Sequence, residues 1–395
     1  MITTRSALFL LPRFRSLRYQ RMLFSGLLPR AKTEERRPTL MAQLEEAATD
    51  HEQMKILDST AVVQRLFSYP GYDYSEDHHH HVTEHTTKPL HPEGFLDLLS
   101  EIDSFIFDAD GVLWLGDDAI YGSAGLIDFL IKQNKQVIIL TNNATKSRAV
   151  YAKKLARLGF NRKLDKNSIV NPAAVVADTL FRAGLASNKK KVYLIGSQGI
   201  RDEMDDLGVE YFGHGPEPED KSDGSAFMFD IELEVEPSQV GAVVVGYEKH
   251  FDYVKLMKAA NYLQQRHCLF LATNEDETCP GPNPNVVTPD AGPLVAAVRC
   301  ASGREPITVG KPNTPAFDYI RRRWNIDPER TMMIGDRTNT DVKFGRDHGM
   351  KTLLVLSGCH QLEDIMDNRM NDRFDMVPDY FATCLGALVV PRGMA

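Results

Sequence analysis

The sequence predicts an α/β fold in which a parallel-sheet core is interrupted by a smaller α/β domain. Short apolar runs alternate with segments of helical periodicity from Phe95 onward, which is the βαβ pattern of a parallel sheet. Polar residues directly follow four of these runs, as expected where the carboxyl ends of parallel strands form a site. The predicted core occupies residues 93–183 and 305–395, and the inserted domain occupies residues 184–304.

The composition is that of a globular protein with a sizeable core, since 43% of its 395 residues are hydrophobic and 25% are charged. The net charge is −8, yet the first 33 residues carry six Arg, one Lys and no acid, so the remainder carries −15 (−8 less 7). An acidic body argues against nucleic acid as the main partner. No apolar run approaches the ~18–20 residues of a membrane span. The five cysteines form no C-x-x-C pair, which favours reduced thiols and no structural zinc.

The N-terminal segment predicts targeting to an organelle. Residues 1–33 are Arg-rich, acid-free and amphipathic, which is the pattern of a mitochondrial transit peptide. We therefore expect the mitochondrial matrix, with the cytoplasm as the alternative location; a disordered basic tail and a secretory signal are the other interpretations of this segment. Residues 34–92 are polar, include the run His78–His81, and are interpreted as a disordered, low-complexity linker.

The first part of the core contains two apolar strands that end in polar residues. Phe105–Phe107 precedes Asp108-Ala109-Asp110-Gly111, and Val137–Leu140 precedes Thr141-Asn142-Asn143. Two carboxylates at the end of a buried strand suit a divalent cation and a phosphate better than they suit stability. The alternative is a surface turn, since Asp is a common turn residue. Helices are predicted around these strands over residues 95–102, 123–133 and 145–158.

The inserted segment and the second part of the core continue the same alternation. In the insertion we predict strands over 191–195, 242–246 and 268–272 and helices over 251–265 and 292–301. The core sheet is expected to resume at Ile307–Pro312, a strand that ends in Gly310-Lys311. A helix over 314–324 then leads to the strand Thr331–Ile334, which ends in Gly335-Asp336 with Asp341 five residues on, and to a last strand over 352–356.

In one parallel sheet these four strand ends would meet at the carboxyl edge, where each fits a role in phosphoryl transfer. Asp108 is the predicted nucleophile, which forms an aspartyl-phosphate, and Asp110 is the predicted general acid and base. Mg²⁺ is the expected cofactor, held by Asp108, Asp336 and the Asp110 carbonyl. The other predicted site residues bind the substrate phosphate or support the turn: Thr141, Asn142, Asn143 and Lys311 for binding, and Gly111 and Asp341 for support.

Each motif by itself has another interpretation. Asp108-x-Asp110-Gly111 also opens calcium loops, but Trp114 lies where carboxylates should continue. Lys311 alone resembles an ordinary solvated lysine, and Thr141-Asn142-Asn143 also suits a helix N-cap. Asp341 either binds the metal through water or orients its neighbours. The order and spacing of all four motifs make coincidence improbable.

Together these residues resemble the four motifs of the haloacid dehalogenase superfamily: Asp108–Trp114, Thr141–Asn143, Gly310–Pro312 and Gly335–Asp341. Residues 94–388 are more narrowly similar to its phosphoglycolate phosphatase/4-nitrophenyl phosphatase group. The resemblance implies a Rossmann-like core with a C2-type α/β cap inserted between the second and third motifs. It also implies Mg²⁺ dependence, an aspartyl-phosphate intermediate, a small phosphorylated metabolite as substrate and a homodimer formed through the cap.

Substrate choice in this group is attributed to a cap loop, here about Thr273–Pro284. Pyridoxal phosphatases carry Trp-His before a Pro where this sequence has Thr278-Cys279-Pro280, so 2-phosphoglycolate and then glycerol 3-phosphate are expected ahead of pyridoxal phosphate. Cys279 is the candidate specificity residue, and is redox-sensitive only if its pKa is depressed. Asp290-Ala291-Gly292 departs from the usual Gly-Thr-Gly. A dehalogenase, a phosphotyrosine phosphatase and a non-catalytic binding protein are the alternatives.

Overall fold

The computed structural model describes residues 87–217, 232–279 and 286–389. The predicted transit peptide, the His78–His81 run and the linker up to residue 86 lie outside the described residues. The predicted end of the linker at residue 92 is too late, because Lys88–Pro89 forms a strand of the main sheet and a helix begins at Pro92. Within the described ranges, no helix combines the length and the apolar character that crossing a membrane requires.

The strands and helices follow one another in βαβ order through most of the chain. The strands are β1 (Lys88–Pro89), β2 (Ser104–Phe107), β3 (Trp114–Leu115), β4 (Asp118–Ala119), β5 (Gln136–Leu140), β6 (Ile169–Val170), β7 (Lys191–Ile195), β8 (Tyr211–Phe212), β9 (Val240–Val245), β10 (Leu269–Ala272), β11 (Thr278–Cys279), β12 (Thr288–Pro289), β13 (Ile307–Thr308), β14 (Thr331–Gly335), β15 (Lys351–Val355) and β16 (Tyr380–Ala382). The helices are α1 (Pro92–Leu98), α2 (Ser123–Lys132), α3 (Arg148–Arg157), α4 (Pro172–Arg182), α5 (Gln198–Asp206), α6 (Tyr253–Tyr262), α7 (Ala291–Ser302), α8 (Thr314–Trp324), α9 (Lys343–Asp347) and α10 (Leu362–Met370).

The larger sheet has seven parallel strands in the order β1-β16-β15-β14-β2-β5-β6. Its central strands are mostly buried and mostly apolar, as expected of a parallel sheet covered on both faces. Phe107 is level with Ile334 of β14 and Ile139 of β5. The residues that follow these three strands therefore emerge side by side at the carboxyl edge.

The two faces of this sheet bury different clusters, because successive side chains of a strand point in opposite directions. Phe105 and Phe107 lie in a cluster with buried residues of α1, α2 and α3. Ile106 lies in a second cluster, which contains buried residues of α4, α5 and α8 and also residues of the smaller sheet. This second cluster, called the shared cluster below, joins the two lobes of the molecule.

The smaller sheet has five parallel strands in the order β13-β10-β9-β7-β8, and residues of α6 and α7 pack on its outer face. The predicted fold class, a parallel-sheet α/β core with an inserted α/β domain, is confirmed. One detail of the prediction is wrong: Ile307 and Thr308 pair with Leu271 and Ala272 of β10, in the smaller sheet. An apolar run followed by Gly-Lys carries no information about which of two parallel sheets it joins.

Helices α3 and α4 depart from the sequence prediction for local reasons, and α5 and α10 are also absent from the predicted helices. Helix α3 begins at Arg148 and not at Thr145, because the Asn143 side chain accepts the Thr145 N–H and forms an Asx turn first. Helix α4 was not predicted, although Asn171-Pro172 marks its start. The Asn171 side chain accepts the Ala174 N–H at 3.0 Å, and Pro172 occupies the first helical position.

Candidate active site

Three of the four polar strand ends lie together at the carboxyl edge of the seven-stranded sheet. Asp108 follows β2, Thr141 follows β5 and Asp336 follows β14, and these strands are neighbours in the sheet. Lys311 arrives from the other sheet, three residues after β13. Its ammonium nevertheless reaches Asp108, so all four motifs contribute to one site.

Three carboxylates form the acidic centre of the site. Asp108, Asp336 and Asp341 each offer an oxygen, and these oxygens lie within 4.8 Å of one another. Asp336 is 5% exposed; its Oδ2 accepts the Cys359 N–H at 2.7 Å, whereas its buried Oδ1 has no hydrogen-bond partner within the described part of the chain. Burial, with the charge of Asp341, raises the pKa of Asp336 to about 6. An unpartnered oxygen in a buried cluster of hard ligands fits a divalent cation such as Mg²⁺.

Lys311 is the counter-charge of this centre. Its Nζ donates to Asp108 Oδ1 at 2.7 Å, to Asp341 Oδ1 at 2.7 Å and to the Leu140 carbonyl at 2.9 Å, which uses all three ammonium protons. Burial alone lowers the pKa of Lys311, but Asp108 and Asp341 outweigh burial and hold it above its usual value. The pKa of Asp108 is raised, mainly by burial, against the effect of Lys311. The lysine was predicted to contact the substrate phosphate, whereas here it is engaged with the carboxylates.

Asp341 holds both the lysine and the backbone that carries Asp336. Its Oδ2 accepts the N–H groups of Asp336 and Arg337 at 3.1 and 3.0 Å, within a π-helical segment over Thr338–Val342. Local π-helix is often found at functional sites. Both oxygens of Asp341 thus have protein donors, unlike those of Asp336, which favours the orienting role among the two left open by the sequence.

Asp110 and Gly111 form the turn that follows Asp108. Asp110 Oδ1 accepts the indole N–H of Trp114 at 2.7 Å, a contact that sequence reasoning missed. Gly111 has φ +83°, and a Cβ there would overlap the Asp336 carboxylate. The Gly111 carbonyl also accepts the Ser357 hydroxyl at 2.8 Å. Glycine is required at this position both for its backbone conformation and for the close approach of Asp336.

The three residues after β5 make different contacts. Thr141 is buried, and its hydroxyl accepts the Asn143 N–H at 3.1 Å. Asn142 was predicted to bind phosphate, but its side chain holds the Lys311 peptide by two hydrogen bonds of 2.8 and 3.0 Å and also donates to Asp276 at 3.1 Å. Asn143 is exposed and forms the Asx turn described above. The side chain of Asn142 therefore positions Lys311 and contacts the cap loop.

The turn between β5 and α3 is clamped by the second lobe. Glu203 of α5 is buried; it accepts the Arg148 N–H at 2.7 Å and the Arg148 guanidinium at 2.9 and 2.7 Å. Gly199 donates to the Thr145 carbonyl at 3.2 Å, and a side chain at position 199 would overlap this backbone. The buried acid is a cap for α3 supplied from another helix, which no local sequence signal could have revealed.

The described part of the cap loop, residues 273–279, approaches the site through Asp276. Cys279 lies in β11, which pairs antiparallel with β12, and burial raises the pKa of its thiol. A raised pKa disfavours the thiolate, so the structure favours a passive side chain over a redox-sensitive one. Residues 280–284 of the predicted loop lie outside the described residues. Asp290 caps α7 by accepting the Ala291 N–H, and Gly292 lies against the carbonyls of Glu275 and Asp276.

Family profiles and similar proteins both relate this chain to haloacid dehalogenase-like hydrolases. The haloacid dehalogenase-like hydrolase profile matches residues 105–210, and a second profile, HAD-hydrolase-like, matches residues 308–384. Human glycerol-3-phosphate phosphatase is 37% identical over 298 residues, which cover 74% of this chain and 91% of that protein. Phosphoglycolate phosphatase 1A, chloroplastic, from Arabidopsis thaliana is 33% identical over 308 residues, which cover 75% and 78% of the two chains.

One relative is longer, and one solved structure extends the comparison to the fold. A putative NipSnap protein from Caenorhabditis elegans is 43% identical over 256 residues, which cover 64% of this chain but only 48% of that protein. The crystal structure of 4-nitrophenylphosphatase from Thermotoga maritima superposes with a TM-score of 0.59 at 27% identity, covering 74% of this chain and 97% of that one. The chain belongs to the haloacid dehalogenase-like hydrolases, in the branch whose named relatives are phosphoric monoester hydrolases.

Proposed function

We propose that this chain is a Mg²⁺-dependent phosphatase of small aliphatic phosphate monoesters, acting through an aspartyl-phosphate on Asp108. The observation that carries the proposal is the buried centre itself. Asp108 is held by Lys311, and beside it Asp336 has one oxygen without a partner among the described residues. A lysine that neutralises the nucleophile and a free hard ligand together suit attack on a phosphate dianion.

In the first half-reaction Asp108 attacks phosphorus with the carboxylate oxygen that Lys311 does not hold. The bond between phosphorus and the ester oxygen breaks, and Asp110 gives its proton to the leaving alkoxide. The products of this step are the alcohol, the phosphorylated Asp108 and the Asp110 carboxylate. Lys311 keeps the negative charge at Asp108 compensated while the dianion approaches.

In the second half-reaction Asp110 takes a proton from a water that attacks phosphorus. The bond between phosphorus and Asp108 breaks, which releases inorganic phosphate and restores both carboxyl groups. Asp108, Asp336 and the Asp110 carbonyl would hold Mg²⁺, which, when bound, supplies Lewis-acid neutralisation of the phosphate oxygens. Thr141 and the backbone N–H groups of the turn are proposed to bind those oxygens.

Glycerol 3-phosphate and 2-phosphoglycolate are the substrates we propose to test first. The sequence placed 2-phosphoglycolate ahead, whereas the identities of 37% and 33% to the two named phosphatases support glycerol 3-phosphate at least as strongly. Both are small aliphatic monoesters. An alkoxide leaving group needs a proton, which is the function proposed for Asp110.

The critical experiment compares Asp108→Asn with Asp97→Asn, which changes an exposed carboxylate on α1. With Mg²⁺ and glycerol 3-phosphate or 2-phosphoglycolate, we expect Asp108→Asn to lose about 10³-fold or more in kcat and Asp97→Asn to match the wild type. Phosphate release is the assay, and circular dichroism checks the fold. Near wild-type turnover by Asp108→Asn would refute the nucleophile assignment, and turnover insensitive to EDTA would refute the metal.

Two further expectations stay predictions. The acid-free, Arg-rich residues 1–33 support targeting to the mitochondrial matrix, which a fusion of this segment to a fluorescent reporter tests. Homodimerisation through the cap rests on the family resemblance, and β8 at one edge of the smaller sheet is the strand we would examine first. Light scattering coupled to size exclusion distinguishes a dimer from a monomer.

A further inference from the structure

The buried indole of Trp114 donates its hydrogen bond to a carboxyl group. The side chain is fully buried, and its Nε1–H donates to Asp110 Oδ1 at 2.7 Å, four residues away. A buried indole N–H is a donor that needs an acceptor. Here the acceptor is the carboxyl group to which the proposed function gives the proton-transfer steps.

The indole ring is fixed on several sides. It stacks on Tyr151 of α3 with ring centroids 6.2 Å apart and an interplanar angle of 18°. Phe160 contacts it edge-on at 6.5 Å, and the Lys154 ammonium lies 4.3 Å from its centroid. The Trp114 backbone is fixed as well, because its carbonyl accepts the Gly111 N–H at 2.8 Å. The N–H is therefore a rigid donor whose direction is set before substrate arrives.

We propose that Trp114 is a positioning residue for Asp110: by holding Oδ1, it leaves Oδ2 to carry the proton toward the ester oxygen. This inference rests on the proposed function. A carboxyl group with both oxygens free can rotate about its last bond and present either oxygen, with or without the proton. Because Oδ1 accepts from a donor that has no acceptor capacity, and the carbonyl oxygen of a carboxyl group is its stronger acceptor, the acidic proton is favoured on Oδ2.

The proposal predicts a dependence on the leaving group that a merely structural role does not produce. An alkoxide must be protonated as it leaves, so a misplaced acid slows its departure. 4-Nitrophenolate is a stable anion and departs without a proton. Loss of the Trp114 donor should therefore slow hydrolysis of glycerol 3-phosphate much more than hydrolysis of 4-nitrophenyl phosphate.

The test compares Trp114→Phe with Trp324→Phe in the full chain, with Mg²⁺ and both esters. Phe keeps an aromatic ring for Tyr151 and Phe160 and removes the donor. For Trp114→Phe we expect kcat/KM on glycerol 3-phosphate, which reports the first half-reaction, to fall about 10- to 30-fold, part of the roughly 10²–10⁴-fold that a positioned general acid supplies. We expect kcat/KM on 4-nitrophenyl phosphate to fall at least fivefold less. Trp324 ends α8, away from the carboxylates, and its variant should match the wild type on both esters.

A substitution that acts on the acid alone should have no further effect when the acid is removed. In an Asp110→Asn background, Trp114→Phe should change kcat/KM on glycerol 3-phosphate by less than twofold. Equal losses on the two esters, or an undiminished loss in the Asp110→Asn background, would overturn the positioning role. If the wild type hydrolyses neither ester, the proposed function fails instead, so the two failures are distinguishable.

If Trp114→Phe does not fold, the isosteric residue β-(3-benzothienyl)alanine at position 114 removes the N–H and keeps the shape of the ring. The same leaving-group dependence is expected of this variant. Its absence, with the melting temperature unchanged, would refute the inference.

Discussion

Replacement of Lys311 by Met tests how the acidic centre is held together. The ammonium joins the part-buried Asp108 and the buried Asp341, whose side chains are 13% and 1% exposed. Removing one partner of a buried ion pair costs about 3–5 kcal/mol, because the other charge stays buried without compensation. With an unfolding entropy of about 2.1 cal/mol/K per residue over the described part of the chain, this loss lowers Tm by about 5–8 °C. Turnover should be lost as well.

Lys343→Met is the matched control, since Lys343 also pairs with two carboxylates, Asp347 and Asp375, but lies near the surface. Surface pairs contribute about 0–1 kcal/mol, so this variant should keep its Tm within about 2 °C. Denaturation is measured by urea and by heat at pH 8 and pH 6, with EDTA. The loss for Lys311→Met should be smaller at the lower pH, because burial raises the pKa of Asp108, and a protonated carboxyl no longer leaves a charge without compensation.

The rise of Tm caused by Mg²⁺ tests whether Lys311 and the cation compensate the same charges. Without Lys311, Asp108 and Asp341 lose the ammonium that contacts both, so a divalent cation should raise Tm more in Lys311→Met than in the wild type, although the variant is inactive. An equal or smaller rise in the variant would refute the view that lysine and cation compensate the same charges. A Lys311→Met variant as stable as the wild type in EDTA would refute the expected loss of about 3–5 kcal/mol in the free energy of unfolding.

Three other substitutions probe neighbouring parts of the site. Asp336→Asn should abolish the stabilisation by Mg²⁺ seen in thermal melts, and in the wild type that stabilisation should weaken below about pH 6, where the raised pKa of Asp336 lets protons compete with the cation. Gly111→Ala should lose about 2–4 kcal/mol in urea denaturation, because the new Cβ meets the Asp336 carboxylate and φ is positive; an unchanged midpoint would contradict this. Burial lowers the pKa of His360 below its usual 6.5, and its Nδ1 accepts the Thr338 N–H, so folding stability from this residue is present above pH 6.5 and lost as pH falls. His360→Gln should therefore lose less stability between pH 7.5 and pH 5.5 than the wild type.

Much of the fold could be predicted because its signals are local. Apolar runs such as 191–195 are buried parallel strands, and the helix over 314–324 has the predicted ends. The assignment of Ile307–Thr308 to the main sheet failed because pairing is a long-range property. The short strand β1 was missed for the same reason, since Lys88 and Pro89 are ordinary linker residues until β16 pairs with them.

Within the site, too, local features could be predicted from the sequence and long-range contacts could not. That Asp108, Asp336 and Lys311 lie together could be predicted, because each closely follows a strand and carries a charge that phosphoryl transfer can use. The contacts of Asn142 and the other positioning groups could not be predicted, because a hydrogen bond across 134 or 169 positions leaves no pattern in the sequence. Trp114 gives a local signal, an aromatic donor four residues from Asp110, although by its position it indicates only that the segment is not a calcium loop.

The shared cluster has a consequence for how substrate enters. It contains Ile106 of the seven-stranded sheet together with Val244 and Leu271 of the smaller one, so the two lobes share one apolar interior. Swinging the inserted domain away would expose apolar surface at about 25 cal/mol for each Å², a cost that grows with the angle of the swing. We therefore expect the inserted domain to keep its place on the core during turnover, so that substrate reaches Asp108 without a hinge motion of that domain.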